Sequence, residues 1–119
     1  MGLPTQDLKE PIYSTSKAFA ALKADGSITS WGYGGTAPSD SGYTKIYSTI
    51  NAFAALKADG SITAWGGSFG GTGAPSDSGY IKIYSTQYAF VAVKVDGSIT
   101  AWGDSRFGGA TPASITTSD

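Results

Sequence analysis

Three times along the chain, an Asp-Gly pair stands between two short segments rich in apolar and small residues. Phe19-Ala20-Ala21-Leu22 precedes Asp25-Gly26 and Ile28-Thr29-Ser30-Trp31 follows it, and the pattern returns around Asp59-Gly60 and Asp96-Gly97. Asp-Gly in such a setting is a strong short-range hairpin signal that suits a type I′ turn, so three hairpins are predicted. A two-residue loop at Asp25-Gly26 pairs Ala24 with Ser27, Lys23 with Ile28, Leu22 with Thr29, Ala21 with Ser30 and Ala20 with Trp31. One face then carries Ala20, Leu22, Thr29 and Trp31, and the other Phe19, Ala21 and Ile28, with Lys23 toward the turn. Both faces are largely apolar, and such a sheet needs cover on both sides. In the third hairpin Val91, Val93 and Val95 stand where the second has Ala, Leu and Ala, which strengthens the strand reading. Ahead of each hairpin lies one more short strand, Lys45-Ile46-Tyr47-Ser48-Thr49 in the second copy. No segment carries a helical period.

These elements belong to a repeat. Ile12-Tyr13-Ser14-Thr15 recurs as Ile46-Tyr47-Ser48-Thr49 and Ile83-Tyr84-Ser85-Thr86, at spacings of 34 and 37 residues. Trp31-Gly32, Trp65-Gly66 and Trp102-Gly103 keep the same step, and the three-residue difference falls after the first Trp-Gly, in a loop. The organisation expected is an N-terminal extension, 1–11, and a three-repeat β domain, 12–119, with units 12–45, 46–82 and 83–119. The fold class is all-β: three repeats of a three-stranded antiparallel meander, forming β-propeller-type blades. The alternative is a trefoil-like or stacked β-repeat.

The run from Ala52 through Leu56, Asp59-Gly60 and Trp65-Gly66 to Ser68-Phe69-Gly70-Gly71 resembles the regulator of chromosome condensation repeat family. The short-loop, three-stranded version is similar to the blades of the secreted bacterial β-lactamase inhibitor proteins of that superfamily, and the resemblance covers residues 12 to 112. It implies a propeller, and a bacterial secreted or surface protein. It implies little about function, because the family spans nucleotide exchange factors, enzyme inhibitors and surface proteins. Two departures stand out: the Gln-Leu-Gly that usually follows the aromatic-Gly loop is missing, and three units fall short of the seven blades of those inhibitors. Propellers close with about 4 to 8 blades. Three alone leave raw edges and open apolar outer faces, which favour association. The chain stops just before another Lys-Ile-Tyr-Ser-Thr strand would begin, so a homo-oligomer that closes a ring is expected, the dimer favoured over the trimer, with a fragment of a longer array as the rival.

Composition narrows the chemistry. Among 119 residues there are no Cys and no His, so Ser-His-Asp and Cys-His nucleophiles, the usual zinc sites and a disulfide framework are all excluded. Eight Lys plus Arg against nine Asp plus Glu give a net charge of −1, and the cations are scattered singly, which speaks against nucleic acid as a partner. No apolar run approaches the roughly 18 residues of a membrane span, and the N-terminus lacks the pattern of a signal peptide. No membrane insertion, no metal, no cofactor and no enzymatic activity are expected.

Tempting single residues are better read as scaffold. Trp31, Trp65 and Trp102, once per unit at a strand end, belong between blades rather than on a sugar. Asp25, Asp59 and Asp96 are turn residues. The loops around Asp40 and Asp77 carry one carboxylate each, thin for a calcium ion wanting about 6 to 8 oxygens. The glycine-rich run 66–73 has no Lys-Ser or helix after it to cradle a phosphate. Positions that differ between units are freer. They cluster at Ser16-Lys17, Ile50-Asn51 and Gln87-Tyr88, between the first and second strands, and just after Trp-Gly, at Tyr33, Gly67-Ser68-Phe69 and Asp104-Ser105-Arg106-Phe107. Strand direction puts both sets on one rim. Lys17, Asn51, Tyr88, Asp104 and Arg106 are the candidate partner-binding residues, with Tyr88 and Arg106 of the types that most often anchor interfaces. Tyr33, Phe69 and Phe107, which align before Gly-Gly, are read as structural. The expected function is a non-enzymatic binding or scaffold module that recognises a protein through this rim. The alternative is a lectin-like propeller that holds a glycan with Tyr88, Asn51 and Asp104. A nucleotide exchange or enzyme role rests on family analogy alone.

Overall fold

A computed structural model of the chain describes residues 12–33 and 36–110; the expected extension 1–11 and the end of the third unit lie outside them. Nine strands form three separate antiparallel sheets. The first holds β1 (Tyr13–Ser14), β2 (Ala18–Leu22) and β3 (Ile28–Gly32), and the second β4 (Tyr43–Ser48), β5 (Ala52–Lys57) and β6 (Ile62–Gly66). The third holds β7 (Tyr80–Ser85), β8 (Ala89–Lys94) and β9 (Ile99–Gly103), and each sheet is a meander in sequence order. Apart from one 3-10 turn, Ser105–Phe107, no helix is present among the described residues. The all-β, three-by-three architecture follows the sequence pattern. Three separate sheets packed face to face are not a trefoil.

The hairpin register differs from the expected one by one residue. β2 and β3 pair Phe19 with Trp31, Ala20 with Ser30, Ala21 with Thr29 and Leu22 with Ile28. The cause is the turn. Lys23 N–H donates to the Ser27 carbonyl at 2.9 Å and Gly26 N–H to the Lys23 carbonyl at 2.9 Å, enclosing a three-residue loop, Ala24-Asp25-Gly26. Only Gly26 takes a positive φ, 83°, whereas a type I′ turn demands one from Asp25 as well. Asp25 instead accepts bonds through Oδ1 from Ser27 N–H (2.9 Å) and Ser27 Oγ (2.6 Å), a local clasp that fixes the bulged turn. Asp59 with Ser61 and Asp96 with Ser98 repeat it.

A slip of one residue exchanges a strand's faces. One face of the first sheet therefore carries Phe19, Ala21, Thr29 and Trp31, and the other Ala18, Ala20, Leu22 and Ile28. The second of these packs against Ile46, Phe53, Ala55 and Trp65 of the middle sheet. The middle sheet's reverse face, Ala52, Ala54, Leu56 and Ile62, packs against Ile83, Phe90, Ala92 and Trp102 of the third. Small residues on one side of each joint make room for Phe and Trp on the other. The middle sheet is covered on both sides, as two apolar faces require, and Ala52 to Ala55 are fully buried.

Burial of the three tryptophans is not uniform. Trp65 and Trp102 lie between sheets, but Trp31 is 45% exposed and its stacking partner Phe19 48% exposed. The expectation of a tryptophan between blades thus fails for Trp31 among the described residues, where no preceding sheet covers its face. The inner strands run beside one another across unit boundaries: Ser16 N–H donates to the Ile50 carbonyl, and Ile50 N–H to the Gln87 carbonyl, both at 2.9 Å. At the far end, Asp40 of the connecting loop accepts from Lys57 Nζ (2.6 Å) and Tyr43 OH (2.9 Å), and Tyr43 OH also bonds Thr63 Oγ1 (2.7 Å). Asp77, Lys94, Tyr80 and Thr100 repeat this clasp.

Candidate partner-binding rim

The turn between the first two strands and the loop after Trp-Gly meet in every unit through one backbone hydrogen bond. Tyr33 N–H donates to the Lys17 carbonyl (2.9 Å), Gly67 N–H to the Asn51 carbonyl (2.8 Å) and Asp104 N–H to the Tyr88 carbonyl (2.9 Å). The strand directions therefore hold both sets of differing residues on one rim. A second layer anchors them. In the middle unit the buried Thr49 donates through Oγ1 to the Phe69 carbonyl (2.8 Å) and accepts from Ala52 N–H (3.1 Å). Phe69 sits there at a φ of +69°, uncommon for a residue with a side chain.

Lys17 and Asn51 are brought together. With Tyr33, Gly67 and Ser68 they line a pocket of about 220 Å³ at the junction of the first two units. Tyr33 is 78% exposed, with Lys17 Nζ 5.4 Å from its ring centroid, and the Asn51 amide oxygen accepts from Ser16 Oγ (3.3 Å). The structural role expected of Tyr33 does not hold, because its neighbour in the next unit is Asn51 rather than an aromatic ring. At the following junction that neighbour is Tyr88, which meets Phe69 edge-on at 4.9 Å and Phe107 at 4.7 Å. Tyr88 is half-buried in this cluster and fills the place that Asn51 leaves open.

Asp104 and Arg106 are spent largely on each other. Asp104 caps the 3-10 turn by accepting from Arg106 N–H (2.9 Å), and it takes the guanidinium through Nε at 3.1 Å and Nη2 at 2.8 Å. The guanidinium holds the Asp104 carboxyl below its ordinary value, and the carboxylate raises Arg106 in turn. The arginine side chain stays exposed beside Phe107. Among the described residues no group of three or more His, Cys, Asp or Glu is placed to hold a metal ion, and no helix is long and apolar enough to cross a membrane.

Two further concavities escaped the sequence reading. The inner strands' Tyr-Ser-Thr motifs line an open groove of about 580 Å³, walled by Ser14, Ser48, Ser85 and their threonines. The motif was visible as a landmark, but only the adjacency of β1, β4 and β7 turns it into a surface. The second is a small apolar pocket of about 100 Å³ on the open face of the third sheet, lined by Tyr84, Ala89, Val91, Phe107 and Gly108.

No protein-family model and no curated protein sequence matches the chain. Among solved structures, the CRINKLY WD40 ectodomain of the Arabidopsis thaliana receptor kinase ACR4 is similar with a TM-score of 0.65 and 18% identity, over 92% of this chain and 41% of that one. Human WBSCR16 is similar at 0.60 and 16%, over 87% of this chain and 36% of its own length. The entire ectodomain of the Physcomitrella patens receptor kinase CR4 gives 0.58 and 17%, over 78% and 29%. The chain thus spans about two fifths or less of each of these structures. Three face-to-face meanders with this likeness make the chain a β-propeller-like repeat fold.

Proposed function

We propose that the chain is a non-enzymatic binding or scaffold module, a partial propeller that completes its ring by association with a second copy and recognises a protein partner through the rim at Lys17, Asn51 and Arg106. One observation carries the rim reading: the residues that differ between units are held on one side by the same backbone bond in all three. A rigid platform with variable side chains is a binding architecture. With neither His nor Cys in the chain, and the rim's Asp104 paired with Arg106, the described rim residues offer no acid-base pair. Kinship with the regulator of chromosome condensation repeats is part of this proposal. It is supported by the recurring Asp-Gly and Trp-Gly landmarks and by sheets of three strands rather than the four of a typical blade.

The test is site-specific photo-crosslinking. Probes at positions 17 and 106 should capture one and the same protein, while a probe at Ala58, beside the Asp59-Gly60 turn at the other end of the sheet, should not. Equal capture from Ala58 would move the site off the rim. The pocket at the first junction favours a second reading, a glycan ligand, because it joins an exposed tyrosine to an amide and a serine hydroxyl. Tyr88 and Asp104 are already committed to neighbours, so Tyr33, Asn51 and Ser68 would carry it. Binding on a glycan array that disappears in Tyr33→Ala would establish this reading, and a blank array would dismiss it.

A further inference from the structure

The outer faces of the first and third described sheets are the two halves of a joint that the sheets already make twice. At the described joint between the second and third units, Phe90 and Trp102 stack on each other at 5.2 Å and enter the reverse face of the middle sheet. Gly70 lies directly against the Phe90 ring: a Cβ there would approach two ring carbons to 2.5 Å. Its carbonyl accepts from Trp102 Nε1 at 3.1 Å. Alongside, the Ile50 N–H reaches the Gln87 carbonyl.

Among the described residues, each half of that arrangement stands without its counterpart on an outer sheet. On the first sheet, Phe19 and Trp31 already stack, at 5.6 Å, in the orientation of the other two pairs, and both are about half exposed. On the third sheet, Tyr84, Ala89 and Val91 stand where Tyr47, Ala52 and Ala54 stand at the internal joint, and Gly108 stands where Gly70 does. Gly108 takes nearly the same φ, 102° against 117°, but among the described residues a Cβ there would meet nothing within 4 Å. The apolar pocket beside it is the seat that Phe90 fills one joint earlier, with no described ring seated on it from a following sheet.

We propose that a second copy of this chain docks head to tail. Its Phe19 ring enters the Tyr84, Ala89, Val91, Phe107 and Gly108 pocket, its Trp31 Nε1 donates to the Gly108 carbonyl, and its Ser16 carbonyl accepts from Gln87 N–H. Two such joints close a six-sheet ring of two chains. The inference deepens the ring-completion half of the proposed function and rests on it; it adds which surfaces meet and with what polarity. Association is heterologous, so each chain offers two different faces.

That polarity gives a decisive experiment with the whole chain. Light scattering after size exclusion should give the wild type about twice its 12.1 kDa. Phe19→Glu and Val91→Arg change an exposed and a part-exposed side chain, and each alone spoils both joints, so each should elute as a monomer. An equimolar mixture of the two should recover a doubled mass, because Phe19 of the Val91→Arg chain still meets Val91 of the Phe19→Glu chain. Recovery also shows that both variants are folded. Persistence of a dimer in either single variant, or a mixture that stays monomeric, would overturn head-to-tail docking while leaving self-association itself standing. A wild type that remains at 12.1 kDa at every concentration would overturn docking and ring completion together, and leave the open faces to further units of a longer chain.

Discussion

The side chains that set this structure are often the short polar ones. Thr49 is the single buried polar residue among the described positions, and its hydroxyl serves two backbone groups at once. Its counterpart Thr86 is exposed and placed differently: its hydroxyl donates at long range toward the Phe107 carbonyl (3.4 Å) and the Ala89 carbonyl (3.5 Å), and it accepts from Tyr88 N–H (3.2 Å). Thr49→Val leaves a part-buried carbonyl and a buried N–H without the hydroxyl and should cost about 1–3 kcal/mol in urea unfolding, whereas Thr86→Val should cost clearly less. Equal losses would show that the Phe69 loop does not depend on this clasp. The contrast was not legible in the sequence, where both threonines sit in the same Tyr-Ser-Thr motif. Neighbouring loops, not the motif, decide their burial. Tyr33, Phe69 and Phe107 teach the same lesson. They align in sequence, yet each environment depends on which side chain the next unit presents: Asn51 opposite Tyr33, Tyr88 opposite Phe69, and, among the described residues, no next unit for Phe107.

At the scale of elements, strand number, order and turn positions were readable from the Asp-Gly pairs and the repeat step. Register was not. Asp-Gly fits two hairpin turns that differ by one residue, and the choice is made by the Ser that follows, whose N–H and hydroxyl both reach the Asp side chain. The connecting loops are likewise tied by charge. Lys57 and Lys94 hold the Asp40 and Asp77 carboxyls below their ordinary value of 3.8, with help from Tyr43 and Tyr80. A depressed folded pKa gives stability that is present above the unfolded value and lost as pH falls through the folded one. Thermal midpoints should therefore hold steady from neutral pH down to the ordinary carboxylate range, then fall below it. Asp40→Asn with Asp77→Asn should flatten that acid limb. An unaltered limb would assign it to the Asp-Ser turns, whose aspartates are lowered in the same direction.

For the whole molecule, stability is graded outward from the middle sheet. Among the described residues only that sheet has both faces covered, and nearest-neighbour stacking makes each joint a separate contribution. Amide exchange should be slowest in β5, around Phe53 and Ala54, and faster in the second strands of the outer sheets. Equal protection in all three sheets at dilutions that favour the single chain would mean that the units unfold as one block. The repeat fold was legible because three copies of one pattern reinforce each other in sequence. The rim residues could be placed on one side but not sorted: strand direction gathers Lys17 and Asn51, while only packing reveals that Tyr88 is stacked between phenylalanines and that Asp104 is bound to Arg106.

At both described joints small residues face the following unit and an aromatic pair faces the preceding one. A unit copied by gene duplication and inserted between two others would therefore meet on each side a surface it already fits. Growth of such a chain by whole units needs no new complementarity to evolve, whereas loss or gain of a single strand would bring two like faces together. Lengthening thus proceeds in steps of one full meander, and the same rule permits a ring to be shared among separate polypeptides or gathered into one.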